Sequence, residues 1–456
     1  MRPFLLALAM ALTQLAAAQE PPKLVLSLEE AERQAFEHSP ILKGALSDLA
    51  AAQSQVEVQL SQLIPRVTVD GSYQYQTQVP NFSPAPGAPA VPFGDHNNYS
   101  VGPTLQYTLW DNGGLLKSWR SQKALASSEE AQRDLVRRQV RLITRLDYFQ
   151  VQLALEQERS LIDSLRLAGA QYNDIDKRYR AGAASRIDWL SAHQQVLDRR
   201  RDLRAAQADL AAALRALFAQ TGRGQDLDVS SPINARVESP LPAGVSTPTV
   251  SIELEPLETV EARLEGAAGA PVDGSYPQLL ALSRQAESQK LSADSISAAR
   301  WPRLQLTYKS DYIYPNLPLL SSVWQNTAGV SASVPLFEWG RTKNQAAAQR
   351  MLAASTESRR DEALDELVRD WHKARDQFSA LRDEEALDRE SIDETAEIAR
   401  LRYASYRDGG STILDVETAD LNSVQSRVTG ARTRTQILIQ LATLESLSAW
   451  KANNEK

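Results

Sequence analysis

Four stretches of the chain alternate strictly between apolar and polar positions. In the first, Val67, Val69, Tyr73 and Tyr75 interleave with Thr68, Asp70, Ser72 and Gln74. In the second, Tyr99, Val101, Leu105, Tyr107 and Leu109 interleave with Ser100, Gly102, Thr104, Gln106 and Thr108. The third sets Leu304, Leu306, Tyr308 and Tyr312 against Gln305, Thr307, Lys309 and Asp311; the fourth sets Ala328, Val330, Ala332, Val334 and Leu336 against Thr327, Gly329, Ser331 and Ser333. A period of two is the signature of a strand with unlike faces, and it predicts strands at about residues 66–78, 98–110, 303–314 and 326–337. The rest of the pattern is helical. Leu135, Leu142, Leu146, Phe149 and Leu153 repeat at helical spacing, and no proline falls between Gly113 and Thr221 or between Leu336 and the end. Helices of about 67 residues would reach about 100 Å and would be stable only packed side by side.

The pattern is written twice. Pro40 and Pro65 open and close one helical stretch, and Pro277 and Pro302 open and close another with the same spacing between them. Leu109, Tyr179, Gly182 and Asp188 then recur as Leu336, Tyr406, Gly409 and Asp415 at a second, slightly shorter common offset. The change of offset falls in the Pro- and Ala-rich stretch 80–98, where a surface loop absorbs it at little cost. The reading is an internal duplication, residues 19–221 and 275–456. Residues 222–274 form a linker expected outside the helical wall, with a short strand at Thr249–Leu254. Residues 1–18 read as a secretory signal: Arg2, the apolar run Phe4–Leu12, and the small residues Ala16–Ala18.

The strand lengths suit a tilted membrane crossing. Aromatic residues gather at their ends, Trp110, Trp301, Phe337 and Trp339 at one, Tyr75, Tyr99, Tyr312, Tyr314 and Trp324 at the other, as in interfacial girdles. The competing reading is a soluble sheet packed on helices with one wet face. It leaves the strand-end aromatics and the scarcity of charge on the polar faces unexplained. Four strands cannot close a barrel, and lipid does not tolerate open edges. Copies of the chain must combine, and three, giving about twelve strands, is the smallest number that leaves a water-filled lumen.

Composition narrows the chemistry. With 57 acidic and 50 basic residues the net charge is −7, which disfavours nucleic acid as a partner. There is no cysteine, so disulfides, thiolate metal sites and cysteine nucleophiles are excluded. The four histidines, His38, His96, His193 and His372, have no ligand spacing. No catalytic motif, metal site or cofactor-binding pattern is evident. Gly222-Arg223-Gly224 is a lone Gly-x-Gly of the kind loops contain.

The signal segment, the doubled helix–strand–strand–helix plan, the proline after each short helix and the Tyr-Arg-x-Gly reversals at Tyr179–Gly182 and Tyr406–Gly409 resemble the TolC family of outer-membrane efflux proteins. The resemblance covers essentially the whole chain after the signal. It implies a mainly α fold with a transmembrane β part: a homotrimer with one twelve-stranded β-barrel in the outer membrane and a long α-helical coiled-coil barrel in the periplasm. It also implies a passive, non-enzymatic exit duct, in contact with outer-membrane lipid, for a tripartite efflux pump or a one-step secretion system. Such a duct docks to a periplasmic adaptor and an inner-membrane transporter. A protein-secretion outlet of the same family and a periplasmic structural coiled coil are the competing functions.

The resemblance further implies where the duct narrows. The matching positions just after the second reversal are Asp415 and Thr418, with Tyr406 and Asp188 as partners in the closing network. The family pattern has a second acid where Thr418 stands and an arginine where Ser411 stands; Arg407 or Arg186 is the candidate replacement cation. The reversals themselves, through Gly182, Ala183 and Ser185 and through Gly409, Gly410 and Thr412, are the candidate adaptor contacts.

Overall fold

The computed structural model describes residues 23–83, 85, 87, 91–92, 94–223, 251–316 and 320–449. The expected signal segment lies outside them, as does most of the first half of the 222–274 linker. In chain order the elements are β1 (Lys23–Leu26), α1 (Leu28–His38), α2 (Pro40–Ser61), β2 (Arg66–Tyr75), β3 (Asn81–Phe82), β4 (Val91–Pro92), β5 (Asn97–Trp110), α3 (Gly114–Arg180) and α4 (Arg186–Thr221). There follow β6 (Ser251–Leu254), α5 (Leu257–Leu264), a 3-10 turn (Glu265–Gly269), α6 (Pro277–Ala298), β7 (Arg303–Tyr314), β8 (Val323–Ser333), α7 (Arg341–Arg407) and α8 (Ile413–Leu447). The fold is mostly helical. Among the described residues no helix is long and apolar enough to cross a membrane.

The chain forms two compact units. One comprises residues 43–135 and 275–366. Its sheet has the order β2-β5-β7-β8, every neighbour antiparallel. Directly paired residues share a face, so the register sorts the faces. Val67, Leu105, Tyr308 and Ala328 form one continuous cross-strand row, and Thr68, Thr104, Lys309 and Thr327 form a row on the other face. Val67, Val69, Tyr73, Trp324 and Val330 are exposed on the apolar face. Tyr99 stacks on Tyr314 at 5.1 Å between ring centroids, and Tyr312 meets Trp324 at 5.6 Å.

Two strands differ from the periodicity reading. β2 stops at Tyr75, not near 78, because its last ladder partner is Asn97, where β5 begins. β8 spans Val323–Ser333, not about 326–337. Pro335 has no N–H to give a ladder, and the residues after Ser333 leave the sheet although the alternation continues through Leu336.

The helices of this unit are joined by serines and alanines. Ser121 Oγ donates to the Ser288 carbonyl at 2.8 Å, Ser128 Oγ to that of Ala281 at 2.7 Å, and α6 replies through Ser295 Oγ to Gly114 at 2.8 Å. These hydroxyls satisfy themselves across the interface and let the helices approach closely.

The second unit comprises residues up to 42, 136–274 and 367 onward. β1 and β6 pair in parallel, Leu26 opposite Leu254. Leu26, Leu28 and Ala31 pack with Tyr148, Phe149, Leu214, Phe218, Val260, Leu264 and Leu441 in one core. Tyr148 fixes the corner: its hydroxyl donates to the Leu26 carbonyl at 2.9 Å and accepts from the Glu255 amide at 2.9 Å, and burial pushes its pKa up to about 12. Residues 251–274 carry the short strand anticipated at Thr249–Leu254, described from Ser251, and more structure besides. They supply a strand and a helix whose Val260 and Leu264 are core residues, and the turn after them packs Ala267 on Trp371, Ala374 and Leu444. α1 is an element the sequence pattern did not mark, although Ser27 caps it by accepting the Glu30 amide at 3.2 Å.

Candidate functional site

Both long helices end in the same device, and both devices lie in the second unit. α3 stops at Arg180 and Gly182 takes φ +73°; α7 stops at Arg407 and Gly409 takes φ +79°. Those left-handed values suit glycine because a Cβ would be strained there. Beyond Gly182, Ala183 donates its N–H back to the Arg178 carbonyl at 2.7 Å; beyond Gly409, Gly410 does the same to Ser405 at 2.8 Å. The returning helices then start on reciprocal caps. Ser185 Oγ accepts the Asp188 amide at 3.0 Å while the Asp188 carboxylate accepts the Ser185 amide at 3.3 Å. Thr412 Oγ1 accepts the Asp415 amide at 3.3 Å while Asp415 Oδ2 accepts the Thr412 amide at 2.9 Å and its hydroxyl at 2.7 Å. Each box satisfies helix N–H groups that have no partner inside the helix. Asp188 and Asp415 thus hold helix starts. These bonds to Thr412, backbone first, keep the Asp415 carboxyl below the usual range, with the charge of Arg402 adding to the effect.

The two reversals pack on each other. Ile175, Ala192, Ile413 and Val416 form a small buried core, lined by Trp189, Tyr403 and Tyr406. Burial, then the negative charge of Asp188, raises the Tyr406 phenol. Tyr403 donates to Asp174 Oδ2 at 3.0 Å, and burial, followed by that carboxylate, pushes its pKa to about 12. Arg178 holds Asp174 at 3.2 Å and reaches the Arg407 carbonyl at 3.3 Å. Trp189 Nε1 donates to Asp176 at 2.9 Å.

The remaining residues singled out by sequence sit around this core. Thr418 is exposed and turns its hydroxyl back to the Leu414 carbonyl at 2.8 Å. Ser411 Oγ donates to the Arg402 carbonyl at 3.1 Å. Arg407, Arg186, Gly182, Ala183, Gly409 and Gly410 are exposed. Tyr403–Asp174 and Trp189–Asp176 were not anticipated; their partners belong to different turns or helices, and nothing local in the sequence marks them. The caps do have a signal, Ser/Thr-x-x-Asp directly after a glycine turn.

One or more turns along α8 lies a buried polar group that periodicity also misses. Asp420, 5% exposed, accepts from Gln171 Nε2 at 2.9 Å and Gln195 Nε2 at 3.4 Å, which ties α8 to α3 and α4. Burial dominates and raises its carboxyl above the usual range, against those two amides and the charges of Arg199 and Arg427. The folded protein therefore binds the Asp420 proton more readily than the unfolded chain. Its contribution to stability is highest below the ordinary Asp value and declines as pH rises through the folded pKa. Asp415 has the opposite sign: its contribution is present at neutral pH and is lost on acidification. The side-chain oxygens of Gln171 and Gln195 lack donors among the described residues, and the amide of an asparagine in place of Asp420 could supply one. Asp420→Asn is expected to raise the unfolding midpoint at neutral pH and to lose that advantage as pH falls towards about 4. Thermal melts of both proteins across that range check it; an advantage constant with pH would contradict the assignment.

None of these groups is a nucleophile set beside a base, and among the described residues no cluster of His, Asp and Glu could hold a metal ion. What the arrangement offers is a pair of tight, small-residue reversals with acids at the first turn of each returning helix.

The comparisons with known proteins converge. The model of the outer membrane efflux protein family matches residues 32–223 and 274–449. In sequence, the chain is 28% identical over 176 residues to nodulation protein T of Rhizobium leguminosarum bv. viciae, a match covering 39% of this chain and 33% of that one. The chain thus spans about a third of that relative's length. In structure, it superposes on a membrane protein from Pseudomonas aeruginosa with a TM-score of 0.72 at 19% identity, covering 92% of this chain and 93% of the other. On the CmeC outer membrane channel of Campylobacter jejuni the TM-score is 0.73 at 17% identity, with 92% and 85% covered.

Proposed function

Because the chain belongs to the outer membrane efflux protein family, we propose that three copies of it form an outer-membrane exit duct that serves an inner-membrane transporter through a periplasmic adaptor. The observation that carries this reading is the four-stranded sheet. Among the described residues its outer strands β2 and β8 each have a single neighbour, one face is exposed and apolar, and the other is lined mainly by Ser, Thr and Gln with a few charged residues. Lipid accepts such a sheet only when its edges are paired, and a copy of the same chain supplies the complementary edges.

An internal duplication is part of the reading. It is supported by the equal lengths of α2 and α6, 22 residues each, and of α3 and α7, 67 residues each. The matched capping boxes at Ser185–Asp188 and Thr412–Asp415 support it further.

The periplasmic gate is assigned to the reversal region. Three Asp415 carboxylates around one axis repel one another and favour cations over anions. Tyr406, Asp188, Thr418, Ser411 and Arg407 are assigned to the same gate, and the turns at Gly182–Ser185 and Gly409–Thr412 offer small residues to an adaptor hairpin. The duct is a conduit and performs no covalent chemistry.

Two measurements test the proposal. The protein extracted from outer membranes should run as a trimer that shifts to monomer only after heating, and should conduct in planar bilayers. A monomer that dissolves without detergent would end the case. Asp415→Asn should lower both cation preference and block by divalent cations; unchanged values would remove Asp415 from the gate while leaving the duct intact.

A further inference from the structure

The polar face of the sheet carries five charged residues, Arg66, Asp70, Arg303, Lys309 and Asp311; the register gathers three of them on two adjacent levels, with Arg66 one level beyond Lys309 and Arg303 at the start of β7. Asp70 on β2 pairs with Gly102 on β5, and Asp311 on β7 pairs with Gln325 on β8. Val101 pairs with Tyr312 and Thr104 with Lys309, so Gly102 stands opposite Asp311 and the four residues run across the sheet at one level. Thr104 and Lys309 form the adjacent level on the same face, since positions two apart share a face.

Lys309 Nζ lies 2.5 Å from Asp311 Oδ2. Asp311 is only 4% exposed and Thr104 6%, yet Asp311 Oδ1 and Thr104 Oγ1 have no hydrogen-bond partner among the described residues. Gly102 explains how the carboxylate comes so close to β5: a Cβ there would sit 2.7 Å from Asp311 Oδ1. Asp70 is exposed. One strand separates it from Asp311, about 10 Å at ordinary strand spacing, which is near a Debye length in physiological salt. Each chain therefore presents two carboxylates against one ammonium over these two levels, with the Arg66 guanidinium on the next.

Resting on the trimeric duct reading, we propose that Asp70, Lys309 and Asp311 form a second charge-selective band, inside the barrel and separate from the periplasmic gate, which draws hydrated inorganic cations into the lumen. Symmetry repeats the band at one height around the barrel. Its net charge is acidic, Asp70 supplies the uncompensated charge, and Lys309 moderates it by holding one oxygen of Asp311. Asp70, which is exposed, is the group that a cation's water shell would meet; the buried Asp311 carboxylate acts on the cation only through its charge. Rings of carboxylates are how pores favour cations.

The test uses full-length trimers in planar bilayers under a KCl gradient, all in an Asp415→Asn background, which removes the gate charge but keeps an oxygen for the Thr412 amide. The parent should stay cation-selective. Asp70→Asn and Asp311→Asn should each lower the K+/Cl− permeability ratio, together by about threefold or more, and Lys309→Gln should raise it by about twofold. If the parent forms neither heat-modifiable trimers nor channels, the duct reading fails and takes the band with it. Should channels form with reversal potentials indistinguishable among parent, Asp70→Asn and Lys309→Gln, the band alone is refuted. Asp70 is exposed, so Asp70→Asn gives an answer even where Asp311→Asn fails to assemble. A Lys309→Gln trimer that merely loses heat resistance without a change in selectivity makes the ion pair structural and likewise refutes the band.

Discussion

Replacing Arg145 by methionine is expected to cost about 3–5 kcal/mol of stability. Arg145 is 7% exposed. Its Nε meets Glu32 Oε1 on α1 at 2.5 Å, and its Nη1 pairs with Glu445 on α8. Glu32 and Glu445 are themselves 14% and 6% exposed. Their charges raise the guanidinium pKa against the burial that would lower it. Removing the arginine leaves two buried carboxylates facing each other, which is costlier than losing the attraction alone. The two acids do not suffer equally. Glu32 keeps Arg141, 3.5 Å away; Glu445 loses the guanidinium it shares a tight ion pair with. Adding Glu445→Gln to Arg145→Met should therefore recover more stability than adding Glu32→Gln. Urea or thermal unfolding of the purified protein, followed by helical circular dichroism, measures all four. An Arg145→Met protein within about 0.5 kcal/mol of the parent would show that the triad is solvated.

That triad also marks the boundary of what the sequence makes legible. Its members come from residues 32, 145 and 445, and no local pattern links them. The same holds for β1, four residues long and too short for alternation to register; β6, anticipated at Thr249–Leu254 and described from Ser251, pairs with it across more than two hundred residues. The strands of the large sheet could be read directly because each has unlike faces over ten or more residues. Where reading overshot, as at Val334–Leu336, hydrophobic alternation continued after the hydrogen-bond ladder had been ended by Pro335.

The reversal region divides in the same way. Gly182 and Gly409 announce turns because their backbone needs the left-handed region. The two aspartates that follow were conspicuous as charges, and the structure adds a local duty to each, as the third residue of a capping box. Asp420 and Tyr403 were invisible, since their meaning depends on which helices pack beside them. The consequence is practical. A variant at Asp415 alters a helix start as well as a charge, so its conductance must be read beside Asp415→Asn, which keeps an oxygen for the Thr412 amide.

A large effect on assembly is expected at Gly102. A Cβ there would lie 2.0 Å from the Ser310 carbonyl oxygen and 2.7 Å from the Asp311 Cα. Both are backbone atoms, so no rotamer relieves the clash, and Gly102→Ala must push β5 away from β7. β5 is an inner strand, paired on both sides, and its next residue, Pro103, has no N–H with which to rebuild the ladder. In lipid each backbone group stripped of its partner costs several kcal/mol. Gly102→Ala is therefore expected to reduce heat-modifiable trimer in the outer membrane by more than tenfold, about the effect of 1.4 kcal/mol or more on assembly. Two glycines of the same sheet serve as controls. A Cβ on Gly71 would meet Val101 Cγ2 at 3.9 Å and the Ser100 carbonyl at 4.0 Å, ordinary contact, and one on Gly329 would meet nothing within 4 Å. Gly71→Ala and Gly329→Ala should assemble as the parent does. The comparison separates close approach of strands from the general dislike of sheets for glycine. If Gly102→Ala yields as much trimer as Gly329→Ala, β5 and β7 do not meet as tightly as described, and the placement of Asp311 beside β5 falls with that contact.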